Sequence, residues 1–374
     1  MLEVEVNSQF AIRNPRFDLL VVGAGPGGST AARVAATEGL RVLLVEQRPC
    51  VGLPVQCAEY VPAQIVGYVS VPERCIAQRI HIMRTHLPDP STGSGQGGQI
   101  VETPAIGYVL DRALFDKWLA VAACRAGAEV WTSARAVERT ERGALVRRGG
   151  QTIEVVCQVI IGADGPRSTV GSWIGQENSE FIEALQVEVV LSAPQETTAV
   201  YFDPLYRGGY GWLFPKGETA NVGVGVSRRL GGDPRQALDH LLERLEIRRG
   251  AIVGRTGGLV PSGGPLPRIR VNQVLLVGDA AGHTHPVTGA GVFSAIVGGT
   301  LAGQAAARAI KTGDLTLLDE YEREWEAFMA GPLRHALSKR RYLDQHWSDD
   351  PAALSGVIRE TWVAFKAYGR CKAG

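Results

Sequence analysis

Three glycines and one acid near the start of the chain have the spacing of a phosphate-binding turn. Gly23, Gly25 and Gly28 directly follow the apolar run Phe17–Val22. Glu46 ends the next apolar run, about 20 residues further on. In such a turn the first glycine permits the tight bend, the second admits a pyrophosphate, and the third lets helix and strand pack closely. With a carboxylate placed to accept ribose hydroxyls, the pattern predicts a dinucleotide site.

Two later glycine-rich turns each carry an aspartate. Asp164 lies in a Gly-Ala-Asp-Gly turn, and Asp279 follows Gly278 at the end of another short apolar run. This third turn continues through Gly289 and Gly291 into a helix of small residues, so it suits an anion or the electron-rich edge of a ring. Asp164 has a simpler alternative role, because a turn aspartate often only caps the segment that follows.

Aromatic and imidazole side chains form a further group of candidates. Tyr210, Trp212 and Phe214 alternate along one predicted strand and therefore share a face. That face is either the wall of a binding site or a plain hydrophobic sheet surface. His283 and His285 lie in the third glycine-rich turn, where an imidazole could act as a general base or stabilise a bound anion. The alternative is a histidine that bonds to the backbone at a helix start.

The elements that must position these residues follow from the hydrophobic pattern. A short apolar run precedes each glycine-rich turn, as in buried parallel strands, whose carboxyl edge is where ligands bind. From Phe181 to about Val226 the pattern has a period of two, which predicts a separate antiparallel sheet. Residues 79–110 indicate two more strands around the loop Ser91–Gln99. Asp111 is the expected N-cap of the following helix.

Composition and charge exclude several classes of function. The 374 residues have a formal net charge of +1, without a Lys/Arg run of the kind that binds nucleic acid. The six cysteines have no CxxC or metal-ligand spacing, so we expect no metal site and a reducing, cytoplasmic location. No apolar run reaches transmembrane length. Amphipathic stretches in the tail and the basic cluster Lys339–Arg341 leave a peripheral membrane contact open.

The three glycine-rich turns, in this order, resemble those of the FAD-dependent oxidoreductases of the p-hydroxybenzoate hydroxylase class. The resemblance covers most of residues 17–310 and implies that FAD is the cofactor. It implies that Glu46 binds the adenosine ribose, that Asp279 fixes the ribityl side, and that the turn of Asp164 serves FAD and a transiently bound NAD(P)H. It also implies that Arg112 neutralises pyrophosphate charge, the alternative being a solvated arginine at a helix start.

Within that class the sequence resembles the geranylgeranyl reductase family, which reduces isolated carbon–carbon double bonds of isoprenoid chains with reduced flavin. The matching segments are Gly52–Glu59, close to that family's cysteine loop, and Tyr210–Lys216, close to its substrate-sheet motif. The resemblance implies that Cys57 lies near the flavin as a proton relay or gate, although most lone cysteines are small apolar fillers. It also implies that Tyr210 and Trp212 line a dry apolar tunnel.

A second resemblance leads to a different class of reaction. The segment Gly278–Gly291 and the stretch Thr361–Tyr368 resemble the LodB/GoxB-type flavoproteins, monooxygenases that oxygenate a tryptophan side chain of a partner enzyme to mature its quinone cofactor. His283 and His285 depart from the isoprenoid reductases and suit a polar or aromatic substrate. An FAD-binding scaffold or electron-transfer partner without its own substrate is a third possibility, against which the aromatic residues of the predicted sheet argue.

Together these features predict an α/β fold: a glutathione-reductase-like FAD-binding Rossmann domain with an inserted antiparallel β-sheet substrate domain and a helical C-terminal tail. The expected boundaries are 17–78, 104–180 and 266–312 for the FAD-binding domain, 79–103 and 181–265 for the substrate sheet, and 313–374 for the tail. The predicted function is reduction of isoprenoid double bonds by flavin that NAD(P)H or another donor reduces, and the alternative is the flavin-dependent monooxygenase. The expected partner is a hydrophobic or aromatic small molecule, or a protein under the alternative.

Overall fold

The structure is a computed structural model that describes residues 14–88 and 98–370. Most of the loop predicted at Ser91–Gln99, and Cys371, lie outside the described residues. The described strands are β1 Leu19–Val22, β2 Val42–Val45, β3 Tyr60–Pro62, β4 Ile76–His86, β5 Ile100–Leu110, β6 Glu129–Trp131, β7 Ala134–Thr140, β8 Gly143–Arg148, β9 Gln151–Val156, β10 Val159–Gly162, β11 Phe181–Val190, β12 Thr198–Tyr201, β13 Tyr210–Lys216, β14 Thr219–Val226, β15 Ile252–Pro261, β16 Arg270–Val271 and β17 Val274–Leu276. The described α-helices are α1 Pro26–Thr37, α2 Arg112–Arg125, α3 Thr169–Trp173, α4 Pro234–Arg244, α5 Val292–Thr312, α6 Asp319–Trp325, α7 Gly331–Gln345 and α8 Pro351–Thr361.

Six strands form the nucleotide sheet, in the order β16-β17-β10-β1-β2-β6. All neighbours pair in parallel except β16 and β17, which are antiparallel. The apolar runs before the three glycine-rich turns are β1, β10 and β17. Because these strands are parallel neighbours, the three turns leave the same carboxyl edge of the sheet. The parallel sheet predicted from the sequence is confirmed.

Helices α1 and α5 pack on this sheet with their backbones in close contact. A Cβ added to Gly299 would lie 2.2 Å from the carbonyl oxygen of Gly27, and one added to Gly303 would lie 2.8 Å from that of Ala31. The small residues of α5 are therefore required for the approach of the two helices. Both helices begin at the carboxyl edge of the sheet, one after the first turn and one after the third.

Eight strands form the substrate sheet, in the order β15-β11-β14-β13-β12-β4-β5-β3. Its neighbours are antiparallel except β12 and β4, as the period-two pattern predicted. The sheet includes β3, which the expected boundaries place in the FAD-binding domain. It also includes all of β5, which those boundaries divide between the two domains. A proline usually interrupts strand pairing. In β5, however, Pro104 lies opposite Ile82, where the register between β4 and β5 shifts, and a strand tolerates proline at such a position.

The C-terminal helices pack on the rest of the protein through buried apolar residues of α6 and α8. Residues Glu326–Ala330 form a π-helical turn that joins α6 to α7. Pro332 directly follows this π-helical turn, in the first turn of α7. Leu354, Ile358 and Trp362 are buried against the substrate sheet, so this stripe is a packing face.

Two of the three residues of the basic cluster Lys339–Arg341 are buried, namely Lys339 and Arg340, whereas Arg341 is exposed. The Lys339 ammonium donates to the carbonyl oxygens of Ala367 and Arg370, both at 3.1 Å. The Arg340 guanidinium is buried and donates to the carbonyl oxygen of Gly208. In the described part of the chain, no helix combines the length and the apolar character needed to cross a bilayer.

Candidate active site

A cavity of about 750 Å³ lies between the carboxyl edge of the nucleotide sheet and the inner face of the substrate sheet. The nucleotide side of its wall includes Gly23, Gly25, Glu46, Asp164, Gly278, Asp279, Gly289 and Gly291. The opposite side includes Cys57, Arg112, Tyr210 and Trp212. The structure thus brings most of the predicted site residues to one cavity. Four of the residues singled out in the sequence do not line it: Gly28, Phe214, His283 and His285.

The first glycine-rich turn has the shape that a pyrophosphate requires. Gly23 has φ +99°, and a Cβ there would lie 2.3 Å from the carbonyl oxygen of Ala163. A Cβ on Gly28 would lie 1.9 Å from the carbonyl oxygen of Gly23, whereas one on Gly25 would meet no protein atom within 4 Å. Helix α1 begins here without a side-chain cap. Its first amides and the space beside Gly25 are therefore available to a phosphate group.

Glu46 is held at the end of β2 by two backbone amides. The N–H of Ala24 donates to one carboxylate oxygen and the N–H of Arg48 to the other, each at 2.9 Å. An ionised carboxylate has about four acceptor positions, so two of these bonds leave capacity for further donors. The carboxylate is half-buried and lines the cavity. It fits the hydroxyl groups of a ribose.

The third turn presents a buried carboxylate and a second uncapped helix start. The hydroxyl of Thr284 donates to Asp279 at 2.7 Å, and burial raises the pKa of Asp279. A Cβ on Gly291 would lie 3.2 Å from both side-chain oxygens of this pair. Helix α5 begins directly afterwards, without a side-chain cap. Together with Glu46 and the first turn, these groups fit one extended FAD molecule.

Asp164 has the capping role that the sequence left open. Its carboxylate accepts the hydroxyl of Ser168 at 2.5 Å and the backbone amides of Thr169 at 2.7 Å and Val170 at 3.1 Å. These donors all belong to the start of α3. Burial raises the pKa of Asp164, and the hydrogen bonds act in the opposite direction. Asp164 therefore shapes the cavity wall while its carboxylate is occupied by the next helix.

Arg112 is a buried ion-pair partner rather than a solvated arginine. Its guanidinium makes two hydrogen bonds to Asp116, at 2.7 and 2.8 Å, and the side chains are 12 and 9 % exposed. The pair lines the cavity. Sequence reasoning missed Asp116, although its position four residues after Arg112 on one helix was a usable signal.

The thiol of Cys57 lies where the two walls of the cavity meet. The backbone N–H of Glu59 donates to its sulfur at 3.2 Å, and Gln186 donates to its carbonyl oxygen at 3.2 Å. Burial is the largest influence on the thiol and raises its pKa, while the charge of Arg112 acts to lower it. A raised pKa keeps the sulfur protonated at neutral pH. The structure thus places Cys57 on the cavity wall with a thiol that is protonated at neutral pH.

Glu59 is a further buried group that sequence reasoning missed. It is 1 % exposed and has φ +74°, a left-handed conformation that costs a non-glycine residue roughly 1–2 kcal/mol. Its carboxylate accepts the backbone N–H of Arg112 at 2.8 Å, the amide of Asn221 at 2.6 Å and the ammonium of Lys216 at 2.6 Å. The signal was an acid two residues after the cysteine together with a lysine at the end of the substrate-sheet motif.

The aromatic face of β13 forms part of the substrate wall. Tyr210 and Trp212 have ring centroids 6.0 Å apart in an edge-to-face arrangement. The Tyr210 hydroxyl donates to the carbonyl oxygen of Thr288 at 2.5 Å, and the Trp212 indole donates to Gln186 at 3.0 Å. Phe214 shares the face but packs on other hydrophobic residues. Two of the three predicted aromatic residues therefore face the cavity with their polar atoms already bonded.

The two histidines proposed as catalytic residues do not line the cavity. His283 is fully buried and stacks on Trp325 at 3.4 Å between centroids. Burial lowers the pKa of His283 well below its ordinary value, and neither ring nitrogen has a hydrogen-bond partner among the described residues. We therefore leave His283 out of the proposed chemistry, because its ring packs in the core beneath α5.

His285 has the structural role that was the alternative in the sequence. Its Nδ1 accepts the backbone amides of Val287 at 3.3 Å and Thr288 at 3.1 Å. Its Nε2 lies 3.1 Å from the hydroxyl of Tyr368. Burial lowers the pKa of His285 to about 4. At neutral pH the imidazole is uncharged and joins the third turn to the C-terminal tail.

Metal chemistry has no candidate site in the described ranges. Within residues 14–88 and 98–370, no cluster of three or more His, Cys, Asp or Glu side chains could hold a metal ion. The acidic groups that line the cavity are Glu46, Asp116, Asp164 and Asp279, which belong to four separate segments.

Three protein-family models match separate parts of the chain. A model described as FAD dependent oxidoreductase matches residues 18–53, which contain the first glycine-rich turn. The geranylgeranyl reductase catalytic domain matches residues 183–260, within the substrate sheet. A model described as FAD binding domain matches residues 266–336, which contain the third turn.

Related proteins match almost the whole chain. It is 36 % identical over 369 residues to a digeranylgeranylglycerophospholipid reductase of Methanothrix thermoacetophila, with 93 % of each chain covered. It is 37 % identical over 367 residues to the protein of the same name from Methanosarcina acetivorans, with 92 % of this chain and 89 % of the relative covered.

Solved structures have the same architecture. A geranylgeranyl bacteriochlorophyll reductase-like protein from Thermoplasma acidophilum superposes with a TM-score of 0.80 at 30 % identity, over 93 % of this chain and 97 % of that one. The flavin-dependent brominase Bmp2 superposes with a TM-score of 0.73 at 17 % identity, over 93 and 90 % of the two chains. The second likeness concerns the fold alone.

Proposed function

Because the chain belongs to the geranylgeranyl reductase family of FAD-dependent oxidoreductases, we propose that it reduces carbon–carbon double bonds in the geranylgeranyl chains of a digeranylgeranylglycerophospholipid. The relatives that carry this substrate in their names are 36 and 37 % identical and match this chain along most of its length. The observation that carries the proposal is the continuous cavity from the glycine-rich turns to the wall of Tyr210 and Trp212, with Cys57 between them.

The nucleotide side of the cavity would hold FAD with four groups of this chain. Glu46 would accept the ribose hydroxyls, and the amides at the start of α1 would bind the pyrophosphate beside Gly25. Asp279 and the amides near Gly291 would hold the remainder of the cofactor. Arg112 lines the same cavity, and the charge of its guanidinium acts on Asp279. Once reduced, bound FAD supplies the hydride equivalent that alkene reduction requires.

The second hydrogen must arrive as a proton, and Cys57 is the group placed to give it. Addition of a hydride to one carbon and a proton to the other replaces the π bond with two C–H bonds. The thiol carries its proton at neutral pH because burial raises its pKa. When the sulfur gives up that proton, the resulting thiolate has the Arg112 charge and the Glu59 amide beside it.

The substrate sheet would bind the isoprenoid chain by exclusion of water. Tyr210 and Trp212 have their polar atoms bonded to protein, so their ring faces present apolar surface to the cavity. Ile182, Ala184 and Val260 add aliphatic surface on neighbouring strands. An apolar chain in this half of the cavity loses no hydrogen bond to water, whereas a polar substrate would find few partners.

The proposal is tested with the FAD-loaded enzyme, chemically reduced without oxygen, and a digeranylgeranyl phospholipid. Mass spectrometry should show a gain of two hydrogens for each reduced double bond, and in deuterated water both should be deuterium, because chemically reduced flavin and the thiol each take their hydrogen from solvent. Boiled enzyme and a fully saturated lipid are the controls. An unchanged lipid with fully reduced flavin would contradict the proposal, and oxygen uptake stimulated by a tryptophan-bearing partner protein would support the monooxygenase instead.

The source of electrons is a separate proposal. We infer that NAD(P)H reduces the flavin directly, because only one of the two GxGxxG sequences, Gly23–Gly28, follows an apolar run; the other, Gly93–Gly98, belongs to a Ser/Gly-rich stretch and does not indicate a second nucleotide domain. Stopped-flow mixing of the FAD-loaded enzyme with NADH or NADPH should bleach the flavin absorbance. If neither nicotinamide bleaches it and dithionite does, another electron donor serves this enzyme.

A further inference from the structure

We infer that Glu59 is a positioning residue for Cys57, because its buried carboxylate ties the cysteine loop, residues 57–59, to both the substrate sheet and helix α2. The inference rests on the proposed function, in which the thiol of Cys57 gives a proton to the substrate. Glu59 itself does not line the cavity. It would act through the loop and through the start of α2.

Each residue of the cysteine loop has a hydrogen bond to the substrate sheet. The carbonyl oxygen of Cys57 accepts from Gln186 on β11 at 3.2 Å. The carbonyl oxygen of Ala58 accepts from Asn221 on β14 at 3.4 Å. The carboxylate of Glu59 accepts from the same Asn221 at 2.6 Å and from Lys216 on β13 at 2.6 Å. Glu59 makes the shortest of these contacts and the only one between opposite charges.

The same carboxylate also holds the start of α2. Its other oxygen accepts the backbone N–H of Arg112 at 2.8 Å. The guanidinium of Arg112 is the positive charge that faces the Cys57 thiol, and Asp116 orients it one helical turn later. One buried acid therefore connects the sulfur, the cation beside it and the wall that binds the substrate.

The backbone of Glu59 supplies a direct contact to the sulfur. Its N–H donates to the thiol at 3.2 Å, in a residue whose φ of +74° is unfavourable for a side chain with a Cβ. Such a conformation persists when the surrounding contacts determine it. The two hydrogen bonds and the ion pair of the carboxylate are those contacts. Without them the loop is free to relax, and the N–H leaves the sulfur.

Charged and titratable groups face Cys57 from each side of the cavity junction. Arg112 and Asp116 face it from α2, Tyr210 faces it from β13, and Glu59 faces it from its own loop. The negative charge of Glu59 opposes formation of the thiolate, and Lys216 offsets that charge. Replacement of either partner therefore alters the thiol in a defined direction.

The test measures alkylation of Cys57 by iodoacetamide in the FAD-loaded enzyme across a range of pH, quantified on the Cys57 peptide by mass spectrometry. Glu59→Gln releases the loop, so the Glu59 N–H leaves the sulfur and the inflection should move to higher pH, because this hydrogen bond affects the thiol pKa more than the charge of Glu59 does. Lys216→Met leaves the Glu59 charge without its partner, so the inflection should also move to higher pH. The double variant should match Glu59→Gln, because Lys216 acts through Glu59, and a shift of Glu59→Gln to lower pH would show that only its charge matters.

Turnover of the lipid provides a second readout. A displacement of ~1 Å in a reacting group can cost about 100-fold in rate, so Glu59→Gln should lower kcat at least tenfold with little change in KM. Lys216→Arg keeps the charge and should retain most of the activity. Asp203→Asn is the matched control, because Asp203 is another buried carboxylate bound by several donors but lies away from the cavity.

The outcomes separate a positioning role from a structural one. If Glu59→Gln only lowers the melting temperature, as Asp203→Asn should, and leaves the alkylation profile unchanged, the inference is wrong. If Glu59→Gln does not fold, the alkylation profile of Lys216→Met tests the inference instead. An inflection at the wild-type pH in that variant would show that the inference is wrong. Alkylation of Cys57 needs no lipid. A wild-type enzyme that reduces no lipid would therefore contradict the proposed function, and the alkylation profiles would still show whether Glu59 positions Cys57.

Discussion

The residues around Cys57 meet two opposed requirements of a proton donor. The thiol must hold its proton before the reaction, and the thiolate must be tolerated afterwards. Burial meets the first requirement by raising the pKa. Arg112 and the N–H of Glu59 meet the second, since a positive charge and a hydrogen-bond donor both stabilise an anion. A serine in this position would lack the acidity that sulfur provides.

The state of the Cys57 thiol predicts how activity depends on pH. A donor acts only while protonated, and the raised pKa keeps the proton in place above the ordinary value of ~8.5. We expect kcat to be constant near neutral pH and to fall only at a pH above the ordinary pKa of a thiol. Cys57→Ala should lower kcat by about 100-fold and remove the alkaline limb. An unchanged profile in Cys57→Ala would show that another group gives the proton.

Substitutions at two glycines of the first turn, Gly25 and Gly28, should cause two different defects. In Gly25→Ala the added methyl group enters the cavity without contact to protein, so the apoprotein should keep its stability and lose FAD affinity. In Gly28→Ala the methyl group meets the carbonyl oxygen of Gly23, so folding itself should suffer by about 2 kcal/mol or more. Urea unfolding of the apoproteins and FAD titration separate the two defects. Equal loss of stability in both variants would contradict this assignment of roles.

The C-terminal helices act as a cover for the outer wall of the site. Trp362, at the end of α8, is 2 % exposed and packs on Tyr210 with 5.0 Å between ring centroids. Its indole donates to the hydroxyl of Thr85 on β4 at 3.2 Å. A tryptophan in the tail therefore supports the tyrosine that faces the substrate, and the tail belongs to the architecture of the active site.

This support predicts a loss of stability and of substrate affinity together. Trp362→Ala removes a buried aromatic ring and should cost about 3–5 kcal/mol of unfolding free energy. Tyr210 loses a neighbour, so KM for the lipid should rise while FAD affinity stays unchanged. Val363→Ala is the control, because Val363 is 43 % exposed and should cost less than about 0.5 kcal/mol. Urea unfolding and lipid titration provide the two measurements.

The contact between the third turn and the tail predicts a pH dependence of stability. The folded-state pKa of His285 is lowered to about 4, below the unfolded value of ~6.5. The unfolded chain thus binds the proton first, so stability is full above pH 6.5 and falls as the pH drops toward 4. For a partly buried group the loss is on the order of 2 kcal/mol. The melting temperature of His285→Gln should fall less over this range, whereas His81→Gln, at an exposed position, should match the wild type.

At the scale of the whole molecule, two sheets of different type enclose one cavity. The parallel sheet brings its glycine-rich turns to one edge because parallel neighbours end on the same side. The antiparallel sheet presents alternate side chains to that edge and covers its outer face with α4. A cofactor bound along the three glycine-rich turns contacts elements that are far apart in the chain. Cofactor binding and folding are therefore coupled.

This coupling predicts that FAD stabilises the whole protein. At a free FAD concentration of 100 times its Kd, mass action adds about 2.7 kcal/mol of unfolding free energy. The melting temperature should rise with FAD concentration, and tryptophan fluorescence of the substrate sheet should report the same transition as flavin release. Gly25→Ala should show a smaller rise. Two separate transitions would indicate that the sheets unfold independently.

Local patterns in the sequence determined the nucleotide half of the site, since the strand, the glycines and Glu46 act through backbone geometry that spacing alone specifies. The same patterns determined the aromatic face of β13, because alternation along a strand sets which side chains share a face. Only the tertiary structure decided that Glu59 meets Lys216 and Asn221, that His283 stacks in the core, and that Lys339 and Arg340 are buried. Those outcomes depend on segments far apart in the chain, and no local spacing records which of them come into contact.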